Sequence, residues 1–548
     1  MTSTPGPRLH VALLFPEDAL SSVEDVRNAN GARSANVGFA RALLRHARAH
    51  DMTVSLVADV PHVLIRGTPD RWDLLRGQFD HDVEILSLTD LPALFGEQPV
   101  DVLHRLTQHM YRSLYIRNGI ARQPFAVTGV THGLSYANFH EWVLLTLLAR
   151  PQPNDRLVCT TEMAEDVVRS MVASVGGSLG RACSLPTTVI PLGVDVGRFG
   201  AGGREARERL GIPGDEVMLL SVARFSHLTK ADLRPLLAAF ARVAERASAR
   251  AHLVLAGATG AEADPRMLGR MAAEHGIADR VHFAENPAED DKVALYRAAD
   301  IFVALGDNVQ ETFGLALVEA SAAGLPVVAS DWSGFRTLVA DGHTGYLIPT
   351  TALGTFPSLD ALAPLYHNVV NLHLASQAVG TDLDVLCDRL IRLVDQPRLR
   401  RTLGDAARAY AQRFSWDRVV EQYDALWTGL RSQRDLCLIN PDDPPRLNFR
   451  SAFAAYPTRL LRRDDLVTTS ESGARLLTST EPLQPYSALA EVISAEVATQ
   501  ILRRAARGEL AGELMSELAD GGDPWLVAFH LLWLHKYGLL SITPGAST

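Results

Sequence analysis

The stretch ALGDNVQETFGLALVEASAAGLPVVASDWSGFRTLVADGHTGYLIP, Ala304 to Pro349, decides the fold. It reads as a short strand end, a polar loop, a helix, a buried strand and a Gly-rich loop. Glu311 stands where the loop becomes the helix, and Glu319 lies farther along it with seven residues between them. Gly314 is expected in the helix's first turn, where the lack of a Cβ lets a ligand approach the backbone. Free N–H groups and the positive end of the helix dipole make that turn an anion site. A rise of about 1.5 Å per residue would put the two carboxylates roughly 12 Å apart along the axis. One carboxylate beyond each end of a diphosphate could then accept hydrogen bonds from sugar and ribose hydroxyls. A solvated amphipathic helix would show the same spacing.

Working outward, the residues before this stretch alternate between strand and helix. Val217–Val222, His252–Ala256, Val281–Phe283 and Ile301–Ala304 read as strands, and Leu233–Arg246, Pro265–His275 and Asp291–Ala298 as helices. The same alternation runs through an earlier segment, with apolar strands at Leu9–Phe15, Thr53–Ala58, Val83–Leu88, Val100–Leu106, Phe125–Val130, Arg156–Thr160 and Thr188–Pro191. Continuous apolar runs bounded by turn signals are those of buried parallel strands. Alternation with helices implies doubly wound α/β domains. Residues 1–196 are expected to form one such domain and 197–431 a second, joined by the Gly-rich segment from Pro191 to Gly203 and facing a cleft. After an irregular insertion from Thr351 to Gln377, helices follow to about Leu430. Residues 432–548 read as a Pro- and Asp-rich linker and a small, mainly helical module, with helices over Ala488–Arg507, Leu510–Asp520 and Trp525–Tyr537 and a closing strand at Leu539–Ile542.

Composition narrows the class. Apolar residues make up 47% of the 548 and charged residues 21%, the balance of a globular chain with ample core. With 53 basic against 63 acidic residues the net charge is −10, which argues against a nucleic-acid partner. Cys159, Cys183, Cys387 and Cys437 are scattered without metal-ligand spacing, as for free thiols in a reducing compartment. The apolar run near the N-terminus ends at Pro16 and is better read as a strand than as a leader. The expected location is the cytoplasm.

Two further groups carry chemistry. Arg224 and Lys230 lie where the second domain's first strand gives way to a loop, the carboxyl-end position at which α/β sheets bind ligands. A planar guanidinium and a mobile ammonium suit a diphosphate and stabilise it as it departs. Solvated cations at a helix entrance are the alternative. Thr131-His132-Gly133 ends a strand of the first domain, where a neutral imidazole could reach across the cleft.

These residues occur in order with Ile190-Pro-Leu-Gly-Val-Asp195, Phe199, Asp341-Gly-His-Thr-Gly345 and Phe414-Ser-Trp416. Over about residues 8–430 the set resembles the group 1, family 4 retaining glycosyltransferases of the GT-B fold. The resemblance implies that Arg224 and Lys230 bind a donor diphosphate, Glu311 the transferred sugar and Glu319 the ribose. It implies that backbone amides at Phe313, Gly314 and Leu315 cradle phosphate, that His132 lines the sugar site, and that Gly31 belongs to the N-terminal glycine loop. It also implies metal independence, so Asp80-His-Asp82 and Asp382-Leu-Asp384 are read as chance matches to a metal motif. The loop Asp331-Trp-Ser-Gly334-Phe-Arg336 and the C-terminal extension resemble a bacterial subgroup.

The function expected is transfer of a hexosyl unit, with retention, from a UDP- or GDP-linked sugar to a glycan, lipid-linked glycan, peptide or small molecule. No cofactor is needed beyond the nucleotide sugar as co-substrate. The alternatives are a nucleotide-sugar epimerase or hydrolase, and a non-catalytic nucleotide-sugar-binding protein that recruits partners through its C-terminal module. That module could be winged-helix-like; a helical cap or homo-oligomer contact is preferred. The stretch Tyr111, Arg112, Tyr115, Arg117, Arg122, Phe125 could contact an inner membrane surface peripherally, or be an ordinary surface helix.

Overall fold

The computed structural model describes residues 8–16, 31–58, 85–97, 100–121, 123–135, 139–200, 202–259, 265–355, 357, 361, 368–436, 452–479, 486, 489, 492–519 and 524–545. The chain divides into two compact units, Met1–Asp59 with Arg76–Pro445, and Val60–Leu75 with Arg446–Thr548.

The first unit holds two parallel sheets. One is built from β1 (Leu9–Phe15), β2 (Met52–Ala58), β3 (Ile85–Ser87), β4 (Val102–Arg105), β5 (Ala126–Val130), β6 (Arg156–Cys159) and β7 (Thr187–Val189), in the order β3-β2-β1-β4-β5-β6-β7. The other comprises β8 (Val217–Val222), β9 (Ala251–Gly257), β10 (Val281–Glu285), β11 (Ile301–Ala304), β12 (Val327–Ser330) and β13 (Gly345–Ile348), ordered β10-β9-β8-β11-β12-β13. Every residue of β1 and β9 is buried, because helices cover both faces of each sheet. In both sheets the order reverses beside the first strand, at β1/β4 and at β8/β11. The loops at such a switch point splay apart and leave a crevice.

The segment between the sheets is more ordered than its glycines suggest. Val196–Phe199 is a 3₁₀ turn with Phe199 buried, and Val194 N–H donates to Phe414 O at 2.8 Å. Gly193 is required there: a Cβ would lie 2.3 Å from the Trp416 ring. The helix Trp416–Arg431 then packs on the first sheet's lobe. Trp427, fully buried, donates through Nε1 to Thr128 Oγ1 at 3.3 Å, and Phe39 and Tyr423 rings meet at 4.7 Å.

Several sequence expectations are corrected. Ordered ends bound the insertion, with β14 (Thr350–Ala352) antiparallel to β15 (Val379–Thr381) and a helix over Asn368–Gln377. Asp382 caps the next helix, its carboxylate accepting from Asp384 and Val385 N–H; Asp80-His-Asp82 lies outside the described residues. Arg117 and Phe125 do not face outward. Arg117 forms a bidentate pair with Asp155 at 2.7 and 3.1 Å, and Phe125 joins the core. Of that aromatic and cationic stretch only Arg112 is exposed, and Arg122 is not described.

The second unit contains a three-stranded antiparallel sheet, β16 (Leu466–Thr469), β17 (Glu509–Leu510) and β18 (Leu540–Thr543), ordered β17-β16-β18. The expected helices appear at Ala495–Ala505, Ala511–Glu517 and Pro524–Lys536, the first of them beginning seven residues later than expected. The sequence reading left β16 and the helix Glu471–Thr478 unassigned. The missed signal was Ser470, whose hydroxyl accepts from Gly473 N–H as an N-cap. Val467, Ile501, Leu514 and Leu531 fill this unit's core. No helix among the described residues is long and apolar enough to cross a membrane.

Candidate active site

Because β8 and β11 are neighbours, paired at Ile301 with Leu219 and Phe302 with Leu220, the loops that follow them meet. The loop after β8 carries Arg224 and Lys230; the loop after β11 carries Glu311. Lys230 and Glu311, 81 residues apart in the chain, form an ion pair, with side-chain exposures of 35% and 14%. Glu311 Oε1 also accepts from Phe313 N–H at 3.3 Å. Burial raises the Glu311 carboxyl, but the ammonium of Lys230, the Phe313 amide and the charge of Arg224 together hold it below its usual range. Arg224 therefore lies within electrostatic reach of the same carboxylate.

The two loops are knitted together by residues that the sequence reading passed over. Asn308 is fully buried and donates through Nδ2 to Leu228 O at 3.1 Å. Asp307 Oδ2 accepts from Asp232 N–H at 3.2 Å. Burial, opposed by that amide and reinforced by the Asp232 charge, raises Asp307 to about 7. Ser333, at a left-handed φ of 45°, donates through its hydroxyl to Glu311 O at 2.7 Å. The signal available in the sequence was polar Gly306-Asp307-Asn308 directly behind an apolar strand.

The helix geometry differs from the sequence expectation. Leu315–Ala323 is the helix and Gly314 is its N-cap at φ 113°, so Glu311 precedes the helix. A helical rise applied from Glu311 onward is therefore wrong; only Leu315 to Glu319 obeys it, about 6 Å. Gly314 is demanded twice over, by its left-handed backbone and because a Cβ would lie 2.7 Å from Phe335 Cε1. Gly314→Ala should cost about 1–3 kcal/mol of stability in denaturant unfolding. An unchanged midpoint would show that the turn relaxes freely.

Glu319 lies on the helix with its carboxylate 3.3 Å from Lys292 Nζ. Burial would lower the Lys292 ammonium, but Glu319 and Glu289 outweigh it and raise it. Gly31 is the first residue of the helix Gly31–Ala49, which follows β1.

His132 lies two residues beyond the end of β5 and is half-buried, with Nε2 bonded to Asn36 Oδ1 at 2.9 Å. Burial lowers its imidazole to about 4 despite a bond with the Leu106 backbone, so it is neutral near pH 7. Its backbone carbonyl accepts a hydrogen bond from the Thr312 hydroxyl, and Thr161 Oγ1 donates to Thr312 O at 3.0 Å. Thr312 belongs to the loop after β11, whereas His132 and Thr161 follow β5 and β6. These bonds set the carboxyl ends of the two sheets against one another. His132, Glu311, Lys230 and Gly314 are thus gathered along one seam.

Behind His132, His104 is fully buried and lowered to about 3, by burial first and then by His132. Folding keeps both imidazoles neutral, whereas the unfolded chain takes up protons near 6.5. Their contribution to stability is complete above pH 6.5 and is lost as pH falls toward 4 and then 3. Urea unfolding at about pH 7 and about pH 4.5 should show a drop that shrinks in His104→Gln. An identical drop in the variant would remove His104 as a cause.

Parallel sheets with adjoining carboxyl ends, each reversing beside its first strand, define a GT-B protein. Residues 203–354, a stretch that includes Arg224, Lys230, Glu311 and Glu319, match the family described as Glycosyl transferases group 1. The chain is 37% identical over 314 residues to a D-inositol 3-phosphate glycosyltransferase of Geodermatophilus obscurus, across 56% of this chain. It spans 59% of that relative's length. Sucrose-phosphate synthase from Thermosynechococcus elongatus has a TM-score of 0.52 at 19% identity, over 78% of this chain and 100% of that one. Anabaena HepE in complex with UDP and glucose gives 0.51 at 16%, over 77% and 100%. The two structural likenesses show the fold.

Proposed function

We propose that this chain transfers a hexosyl unit from a nucleoside diphosphate sugar to a hydroxyl-bearing acceptor with retention of anomeric configuration. The observation that carries the reading is the meeting of Lys230 and Glu311 beside the left-handed Gly314 turn. In this reading the donor diphosphate draws Lys230 and Arg224 to itself and lies against the first amides of the Leu315–Ala323 helix. Glu311, relieved of its ammonium partner, orients the sugar, Glu319 takes ribose hydroxyls, and neutral His132 approaches the sugar from the other lobe. The anomeric C–O bond to phosphate breaks with its electron pair leaving on the diphosphate, which the fixed cations stabilise. The acceptor oxygen bonds to the anomeric carbon on the same face, and its proton passes to the departing diphosphate. Closure of the two lobes keeps water from taking the acceptor's place.

The name of the Geodermatophilus relative supports transfer to a phosphorylated cyclitol, which belongs among the acceptors tested alongside glycans and lipid-linked glycans. The test begins with thermal shift of the purified full chain against UDP- and GDP-linked sugars, since a ligand at about 100 Kd adds ~2.7 kcal/mol. A donor that stabilises the chain is then incubated with and without each acceptor. Product that retains the anomeric configuration supports the proposal. Epimerised or hydrolysed sugar formed equally fast without acceptor would replace it with the epimerase or hydrolase reading.

A further inference from the structure

Thr312 makes two bonds between the lobes in opposite senses. Its hydroxyl donates to the carbonyl of His132, and its own carbonyl accepts from the hydroxyl of Thr161. Thr161 is itself anchored within the first lobe. It is fully buried, and its Oγ1 also accepts from Ala164 N–H at 3.1 Å as the N-cap of the helix Glu162–Ser178. His132 is held in turn by Asn36. The first lobe therefore offers two fixed points, and a single residue of the second lobe bonds to both.

That residue lies between Glu311 and Phe313. Its carbonyl and the Phe313 amide share one planar peptide unit, and the Phe313 amide donates to Glu311 Oε1. Any displacement of Thr312 moves the Glu311 carboxylate and the entrance to the Gly314 turn together. We infer that Thr312 is a positioning residue, clasped by Thr161 and His132, through which contact between the lobes sets the placement of Glu311. The inference deepens the glycosyltransferase reading and rests on it for its catalytic consequence, though the clasp can be measured without any donor. A hydroxyl suits this position because it can donate across the seam, and a carbonyl is the acceptor that the opposing lobe's own backbone supplies.

The test uses the full chain with Thr312→Val, Thr161→Val and the conservative Thr312→Ser and Thr161→Ser. Valine keeps the shape and removes the hydroxyl; serine keeps the hydroxyl. Amide hydrogen exchange over residues 311–317, without donor, should speed up about fivefold to tenfold in both valine variants, the scale of one lost hydrogen bond. Both serine variants should return it to the native rate. With the donor identified by thermal shift, Thr312→Val should lower kcat about tenfold while donor Kd changes less, and should raise the share of donor lost to water. Thr312→Ser should recover both. Unchanged exchange in the valine variants overturns the clasp whatever the donor proves to be. Faster exchange with unchanged kcat and hydrolysis overturns its positioning role. Faster exchange in a chain whose native form turns over no nucleotide sugar leaves the clasp standing and removes the transferase reading instead.

Discussion

Lys230→Ala should lower the rate of sugar transfer about a hundredfold, the scale of removing one fixed charge from a developing anion. Two effects act in the same direction. The diphosphate loses an ammonium, and Glu311 loses the partner that holds its buried carboxyl below the usual range. In the donor-free variant the Glu311 carboxyl should therefore titrate higher, and the acid limb of its kcat/KM–pH profile should shift toward neutral pH. Lys230→Arg separates the contributions, because it restores charge without the compact ammonium geometry. Turnover measured on purified protein checks the prediction; a native rate in Lys230→Ala would remove the residue from the reaction.

The largest effect on stability is expected at Asp155, far in sequence from any of these motifs. Its carboxylate receives both arms of Arg117, the Val127 amide at 2.7 Å and the Gln152 amide at 2.6 Å. Asp155 and Arg117 side chains are 0% and 2% exposed. Asp155→Ala leaves a guanidinium buried without its counter-charge and two amides without acceptors, which should cost about 3–5 kcal/mol. Replacing the pair together, Arg117→Met with Asp155→Leu, should recover part of that loss, because the isolated charge is then gone. Denaturant unfolding reads both variants. A loss under about 1 kcal/mol for Asp155→Ala would mean that the site admits water.

Local pattern carried much of the architecture. The apolar runs at Leu9–Phe15 and Ala251–Gly257 are buried throughout, as parallel strands between helices must be, and their alternation with amphipathic helices implied two doubly wound domains. Arg224 and Lys230 were singled out as candidates by their place after a strand, because the carboxyl ends of strands are legible wherever strands are. Two short elements of the second unit, Leu466–Thr469 and Glu471–Thr478, were not legible in the same way. Leu466–Thr469 carries too little periodicity to stand out from a linker, and it becomes a strand only by pairing with Leu540–Thr543. Arg117 was read as a surface cation for a related reason: nothing near it in sequence announces Asp155, 38 residues on.

What the chain determines by itself is the set of local choices: where strands and helices fall, that a helix begins near Gly314, and which charged residues stand at strand ends. Those follow from backbone preference and apolar periodicity, which act over a few residues. The tertiary structure alone decided that Lys230 faces Glu311, that Gly314 sits at a left-handed cap before the helix, and that Thr312 is gripped by Thr161 and His132 from the opposing lobe. Each of these depends on which strands are neighbours and how the lobes meet. Contacts across 81, 151 and 180 residues leave no periodic trace in the chain that makes them.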